Sequence, residues 1–219
     1  MGIVAERVPR VYATVMIVAT PIVRWWGRLR VTGADLLPAD GPTILMVNHD
    51  SQWDPVVVGV AVRRRQVRAL AKASLWKSKP MSWVLDHMGQ IPIERGRGDT
   101  AALSAAIEHL ERGECIGVFP EGTVSKGKPL RFLSGAGRLA LAVPGTRVLG
   151  VRVIGAVDIV RFPKRPRLRV EIFEPTGGQA AEGESAVALT KRVMNEVRAA
   201  APPAVQGRKT SAVPAVDAP

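Results

Sequence analysis

Apolar positions along the chain fall in short runs separated by polar, glycine-marked turns. TILMV (43–47), VRALA (67–71), GQIPI (89–93), CIGVF (115–119) and VLGVRVIG (148–155) are mostly continuous in hydrophobicity. That is the pattern of strands covered on both faces. RLRVEIF (167–173) alternates strictly and predicts a half-exposed strand with Leu168, Val170 and Ile172 on one side. Helical periodicity lies between these runs. Asp99 to Arg112 predicts a helix started by Asp99 or Thr100, closed by Gly113, with Leu103, Ile107 and Leu110 sharing a face. Asp54-Pro55 marks another helix start, the carboxylate as N-cap and proline first in the helix. A last amphipathic helix is predicted from Ser185 to Ala200, with Val193, Met194 and Val197 inward. Strands alternating with helices imply an α/β class: a single domain with a mostly parallel sheet flanked by helices.

The two ends read differently from the middle. Val11 to Val23 is free of charge but shorter than the roughly 20 residues that span a bilayer, and Pro21 lies inside it. Neither a spanning helix nor a signal peptide is supported. Arg24, Trp25, Trp26, Arg28 and Arg30 follow, a mixture of indoles and long cations suited to a membrane–water interface. Two readings stand open: a core helix whose tryptophans pack inside, or an apolar, amphipathic segment over residues 1–30 that lies in the membrane surface without crossing it. From 201 to 219 the chain is rich in proline and poor in bulky apolar residues, so a disordered tail is expected.

Charge narrows the partners. The 219 residues carry 31 Lys and Arg against 19 Asp and Glu, a formal net charge of +12, which points to nucleic acid, an anionic membrane or a phosphorylated substrate. Basic residues are scattered through the α/β elements without a helix-turn-helix, zinc or RNA-binding signature, so no nucleic-acid partner is expected. The single cysteine, Cys115, excludes an internal disulfide.

Three polar loops each follow an apolar run. In NHDSQWDP (48–55), His49 precedes Asp54 by five residues, off the helix that Asp54 begins. The imidazole can fold back onto that carboxylate, making a base held in one tautomer and able to take a proton from a hydroxyl. Helix capping accounts for Asp54 alone and leaves His49 unexplained. GQIPIERGRGD (89–99) sets Arg95 and Arg97 among glycines, either a phosphate-binding fork or a solvated basic loop. VFPEGTVSKG (118–127) combines anion-friendly glycines and lysine with Glu121, whose carboxylate can accept bonds from substrate hydroxyls or from a nearby arginine. A surface turn is the plain alternative.

Taken together and in order, the three loops resemble the glycerolipid acyltransferase family, most closely bacterial 1-acylglycerol-3-phosphate acyltransferases. N-H-x-S-x-x-D is met by Asn48, His49, Ser51 and Asp54; G-x-I-x-x-x-R by Gly89, Ile91 and Arg95. F-P-E-G-T-x-S is met by Phe119, Pro120, Glu121, Gly122, Thr123 and Ser125, and the lysine of an A-K-x-x-L segment by Lys72. The resemblance covers roughly residues 30 to 160, within an acyltransferase domain expected over 31–200. Two positions depart from it: Leu133 stands where the family has lysine, and Gly150 where it has proline.

The resemblance implies transfer of a fatty acyl group from a coenzyme A or acyl carrier protein thioester to 1-acylglycerol 3-phosphate. Glycerol 3-phosphate or another lysophospholipid is the alternative acceptor. His49 and Asp54 would be catalytic, while Lys72, Arg95, Glu121, Gly122, Thr123 and Ser125 would bind substrate. No cofactor and no metal are implied, and the cytoplasmic face of an anionic membrane is the expected location. RRR (63–65) and RFPKRPRLR (161–169) are candidate membrane contacts or solvated faces. A cysteine hydrolase is disfavoured: GECIG (113–117) has a nucleophile-elbow outline, yet His49, His87 and His109 all precede Cys115.

Overall fold

The computed structural model describes residues 9–63, 65–94 and 99–207. Among these residues seven strands form one sheet: β1 (Arg30–Thr32), β2 (Thr43–Val47), β3 (Val67–Lys72), β4 (Ile91–Ile93), β5 (Cys115–Val118), β6 (Arg147–Ile154) and β7 (Arg169–Phe173). Their spatial order is β1-β7-β6-β2-β5-β3-β4. The run β6-β2-β5-β3-β4 is parallel, whereas β7 is antiparallel to β6 and β1 parallel to β7.

Among the described residues the α-helices are α1 (Arg10–Thr20), α2 (Asp54–Ala61), α3 (Lys79–His87), α4 (Thr100–Glu111), α5 (Gly135–Ala142) and α6 (Ala186–Ala200). β2 is buried along its whole length because successive side chains serve two cores. Leu45 and Val47 pack with Val57, Val60, Leu149 and Val151 on the α2 face. Ile44 and Met46 pack with Leu110, Leu139, Leu189 and Met194 on the opposite face. Each such fully buried aliphatic contributes about 1.5–3 kcal/mol.

The predicted strands occur within a residue or two of their expected limits. Asp99 caps α4 by accepting the Ala102 N–H, and Ser185 caps α6 through Ala188. Gly113, at φ 80°, closes the former. The inward face of α4 is centred on Ala102, Ala106 and Leu110, with Leu103 and Ile107 at its half-buried margins. Asp54 begins α2, but its carboxylate turns back to the preceding loop instead of capping the helix.

Of the N-terminal segment, the described residues 9–30 pack partly against the domain. α1 continues into a widened turn, Pro21–Trp26, in which Gly27 N–H bonds to Ile22 O at 2.9 Å. Tyr12, Ala19 and Val23 are buried, and Trp26 donates its indole N–H to Ile159 O at 2.9 Å. Ile17, Val18 and Trp25 are exposed. Among the described residues no helix is long and apolar enough to cross a membrane. Of the tail expected to be disordered over 201–219, residues 208–219 lie outside the described residues, while 201–207 lie against the domain. Ala201 is buried, Ala204 N–H reaches Asp50 Oδ1 at 3.3 Å, and Gly207 N–H reaches Asp158 Oδ1 at 2.9 Å. Proline-rich sequence predicts no regular element, and the backbone amides here find carboxylate acceptors instead.

Candidate active site

β2 ends at Val47, and the chain leaves the C-terminal edge of the sheet through Asn48. That side chain stands in for the missing strand residue. Its Oδ1 accepts Val153 N–H at 2.7 Å and its Nδ2 donates to Val153 O at 2.8 Å, extending the β6 ladder with an amide. His49 therefore starts from a fixed backbone. It is fixed again by the β5 loop: its N–H donates to Glu121 Oε2 at 3.0 Å and its carbonyl accepts Ser125 N–H at 2.8 Å.

The imidazole and Asp54 meet. Nδ1 lies 3.0 Å from Asp54 Oδ2. The same oxygen accepts the backbone N–H groups of Asp50 at 2.8 Å and Ser51 at 2.7 Å. With Nδ1 donating to a carboxylate, Nε2 is the ring nitrogen left to accept a proton. Burial pushes the Asp54 carboxyl above its ordinary range, against the pull of His49 and the Ser51 and Asp50 amides. Its second oxygen, Oδ1, is buried without a hydrogen-bond partner.

His49 is only 5% exposed, and its neighbours, though not the ring itself, line two cavities. Its ring packs on Phe119, centroids 4.6 Å apart, and Phe119 lines an apolar cavity of about 370 Å³ with Leu70, Ile93, Leu103, Phe132 and Leu133. Exposed Arg131 and Arg138 also line that cavity. On the other side, Asp50 and Asp54 line a second cavity of about 240 Å³ with Val153, Ala156, Arg167 and Ala201.

The residues expected to bind substrate separate into three groups. Gly122 lines the apolar cavity, at φ 69°, where a side chain would meet Leu133. Thr123 and Lys72 are exposed, and Lys72 ends β3 beside Ile93 of β4. Glu121 and Ser125 are both buried and hydrogen-bonded within the protein. Glu121 accepts from His49 N–H and from Arg198, while the Ser125 hydroxyl donates to Asp50 and accepts Gly127 N–H. Arg95 lies outside the described residues.

Sequence reasoning missed Arg198, in the last turn of α6. Its guanidinium joins Asp50, from the first loop, to Glu121, from the third. The one available signal was Asp50 itself, an acidic residue in the variable position after His49 with no partner in sight. The departures also find reasons. Gly150 leaves room for the Phe173 ring, and half-exposed Leu133 adds apolar surface to the cavity. Cys115 is buried, its thiol pushed up to about 12 by desolvation, and has no access to act as a nucleophile. Among the described residues no cluster of His, Cys, Asp and Glu is placed to hold a metal.

The fold and site define a mostly parallel α/β protein with a hydrogen-bonded His–Asp pair at the C-terminal end of β2. The chain belongs to the acyltransferase family, whose model matches residues 28–157. It is 28% identical over 106 residues to the 1-acyl-sn-glycerol-3-phosphate acyltransferase of Bacillus subtilis, covering 48% of this chain and 53% of that protein. Against the enzyme of that description from Borreliella burgdorferi it is 35% identical over 127 residues, 57% of this chain and 50% of the other. A lyso-ornithine lipid O-acyltransferase of Pseudomonas aeruginosa is 31% identical over 124 residues, 52% and 46% of the two chains. The matches thus span about half the length of these relatives. The fold resembles that of the LPA acyltransferase PlsC of Thermotoga maritima, with TM-score 0.67 over 87% of this chain and 78% of that one, at 24% identity.

Proposed function

We propose that the protein moves a fatty acyl group from a thioester, on coenzyme A or acyl carrier protein, to the free hydroxyl of 1-acylglycerol 3-phosphate. The observation that carries this is the 3.0 Å contact of His49 Nδ1 with Asp54 Oδ2 beside an apolar cavity. A glycerol hydroxyl is a weak nucleophile until its proton is taken. His49 Nε2 accepts that proton as the oxygen attacks the thioester carbon, and Asp54 stabilises the imidazolium. The tetrahedral intermediate collapses with loss of the thiolate, which receives the proton back. Such general-base assistance is worth roughly 10²–10⁴-fold. A thiolate leaves readily, so the reaction proceeds without an acyl-enzyme and draws on no cofactor.

The cavity at Phe119 suits an acyl chain, and Arg131 and Arg138 on its wall suit phosphate. Arg95 and Lys72 join them on the strength of the sequence resemblance. The protein works at the cytoplasmic face of a membrane, held by apolar side chains of the N-terminal segment and by its cationic excess. Two further observations support a surface role. Trp25, 72% exposed, carries Arg165 over its ring at 4.9 Å, and Trp26 stacks on Phe162, itself 82% exposed, at 5.8 Å. Indoles, an exposed phenyl ring and arginines together suit the headgroup layer.

Purified protein, palmitoyl-CoA and lysophosphatidic acid should release free thiol, with phosphatidic acid as product. An acceptor panel with glycerol 3-phosphate and other lysolipids, the thioester held constant, tests the acceptor. Absence of thiol release with every acceptor and with both carriers would refute the reading.

A further inference from the structure

Two further carboxylates belong to the loops that hold His49, and Asp50 also lines the smaller cavity. Asp50 follows His49 in the chain, and Glu121 holds the His49 backbone N–H. The side chains of both are largely shielded from water, where unpaired negative charge is costly. A third residue, remote in sequence, answers both. Arg198 donates Nε–H to Glu121 Oε1 at 2.5 Å and Nη2–H to Glu121 Oε2 at 2.6 Å. It also donates to Asp50 Oδ2 at 2.8 Å and Oδ1 at 3.1 Å, and to Ala201 O at 2.9 Å. Every N–H that a guanidinium carries is thereby used. None remains for a phosphate, which separates Arg198 from the cations of the substrate cavity.

We propose that Arg198 is a positioning residue for the acyl transfer: by bridging Asp50 and Glu121 it locks together the two loops that fix His49, and so sets the base against the acceptor hydroxyl. The inference rests on the proposed role of His49 as base. Three further contacts make the lock a closed unit. The Ser125 hydroxyl donates to Asp50, the Ser125 N–H holds the His49 carbonyl, and Ala204 N–H adds to Asp50 Oδ1 at 3.3 Å. The end of α6 and the segment after it are therefore part of the site's scaffold.

Lysine at 198 keeps the charge but lacks the planar fork that spans two carboxylates. The test compares the full chain with Arg198→Met and Arg198→Lys by steady-state thiol release, and by diethyl pyrocarbonate labelling of His49 read by peptide mass spectrometry. In Arg198→Met, kcat should fall about a hundredfold, as for a base displaced by an ångström or so, with both KM values unchanged. His49, shielded in the wild type, should label several times faster; Arg198→Lys should fall between. A residue of merely structural importance would lower the melting temperature and leave kcat of the folded protein and the labelling rate at wild-type values. That result overturns the proposal, and so does a raised KM with kcat intact. Should Arg198→Met fail to fold, wild-type kcat and labelling in Arg198→Lys overturn it equally. If the wild type releases no thiol, the acyltransferase reading falls, and the labelling rates alone decide on Arg198.

Discussion

At His49 the chain places an imidazole with its Nδ1 held by Asp54 and its face against Phe119. Asp54→Asn keeps a carbonyl oxygen for the Asp50 and Ser51 amides but removes the charge that stabilises the imidazolium. Thiol release should drop at least about a hundredfold, with little change in either KM. A variant with wild-type kcat would show that the carboxylate only shapes the loop. His49→Ala should abolish turnover. The sequence alone suggests that a loop imidazole contributes little to stability, and its burial argues otherwise. Removing it strips a partner from a carboxylate that already has one unpartnered oxygen, so His49→Ala should also cost about 1–3 kcal/mol by urea denaturation.

Among elements, α5 and α6 meet more closely than side chains allow. A Cβ on Gly137 would run into the Ala186 carbonyl, and the Gly137 N–H donates to Thr190 Oγ1 at 3.0 Å. Gly137→Ala should therefore destabilise by about 1–3 kcal/mol, read from the urea midpoint. At the opposite end of the strands from the His49 loop, Glu114 joins β3 to α4 through Arg68, Arg112 and His109. Burial pushes its carboxyl up, but the hydrogen bond and charge of Arg68, with Arg112 and His109, outweigh that and hold it below the usual range. A depressed carboxylate stabilises above its unfolded value, near pH 4.3, and the effect is lost as pH falls through the folded value. Glu114→Gln should cost stability at pH 7 and nothing once both forms are protonated. Stability curves that stay apart in acid would place the loss in packing instead. β2, β5 and β6 were legible because burial on both faces leaves an uninterrupted apolar run. The three-residue β1 was not, since it exists only through pairing with β7. The glycines in GAGRLALA masked α5, because a helix that must approach its neighbour closely gives up the side chains that periodicity reads. The His49–Asp54 pair could be read from local spacing, whereas Arg198 meets Asp50 from 148 residues away, a distance no local pattern spans.

Over the whole molecule, the N-terminal segment is part of the core, so a deletion would confuse that role with the proposed membrane contact. Tyr12 accepts Val67 N–H at 3.2 Å and Val23 is fully buried, so removing residues 1–30 would open the core and mimic loss of membrane binding by unfolding. Point changes on the outward side avoid this. Ile17, Val18, Trp25 and Phe162 are exposed, and Arg165 holds the carbonyls of Trp25 and Trp26, which ties the 160s loop to the N-terminal turn. Apolar contact and cation attraction act together at such a surface, each nearby cation worth about 1 kcal/mol on an anionic leaflet. Trp25→Ser with Phe162→Ser should leave the melting temperature near wild type, because neither ring is needed by the core. Flotation with phosphatidylglycerol vesicles should fall sharply, and what binding remains should vanish as salt rises, since only charge is left. Turnover of a water-soluble short-chain acceptor should persist. Undiminished flotation of a folded double variant would move the membrane contact to another face of the protein.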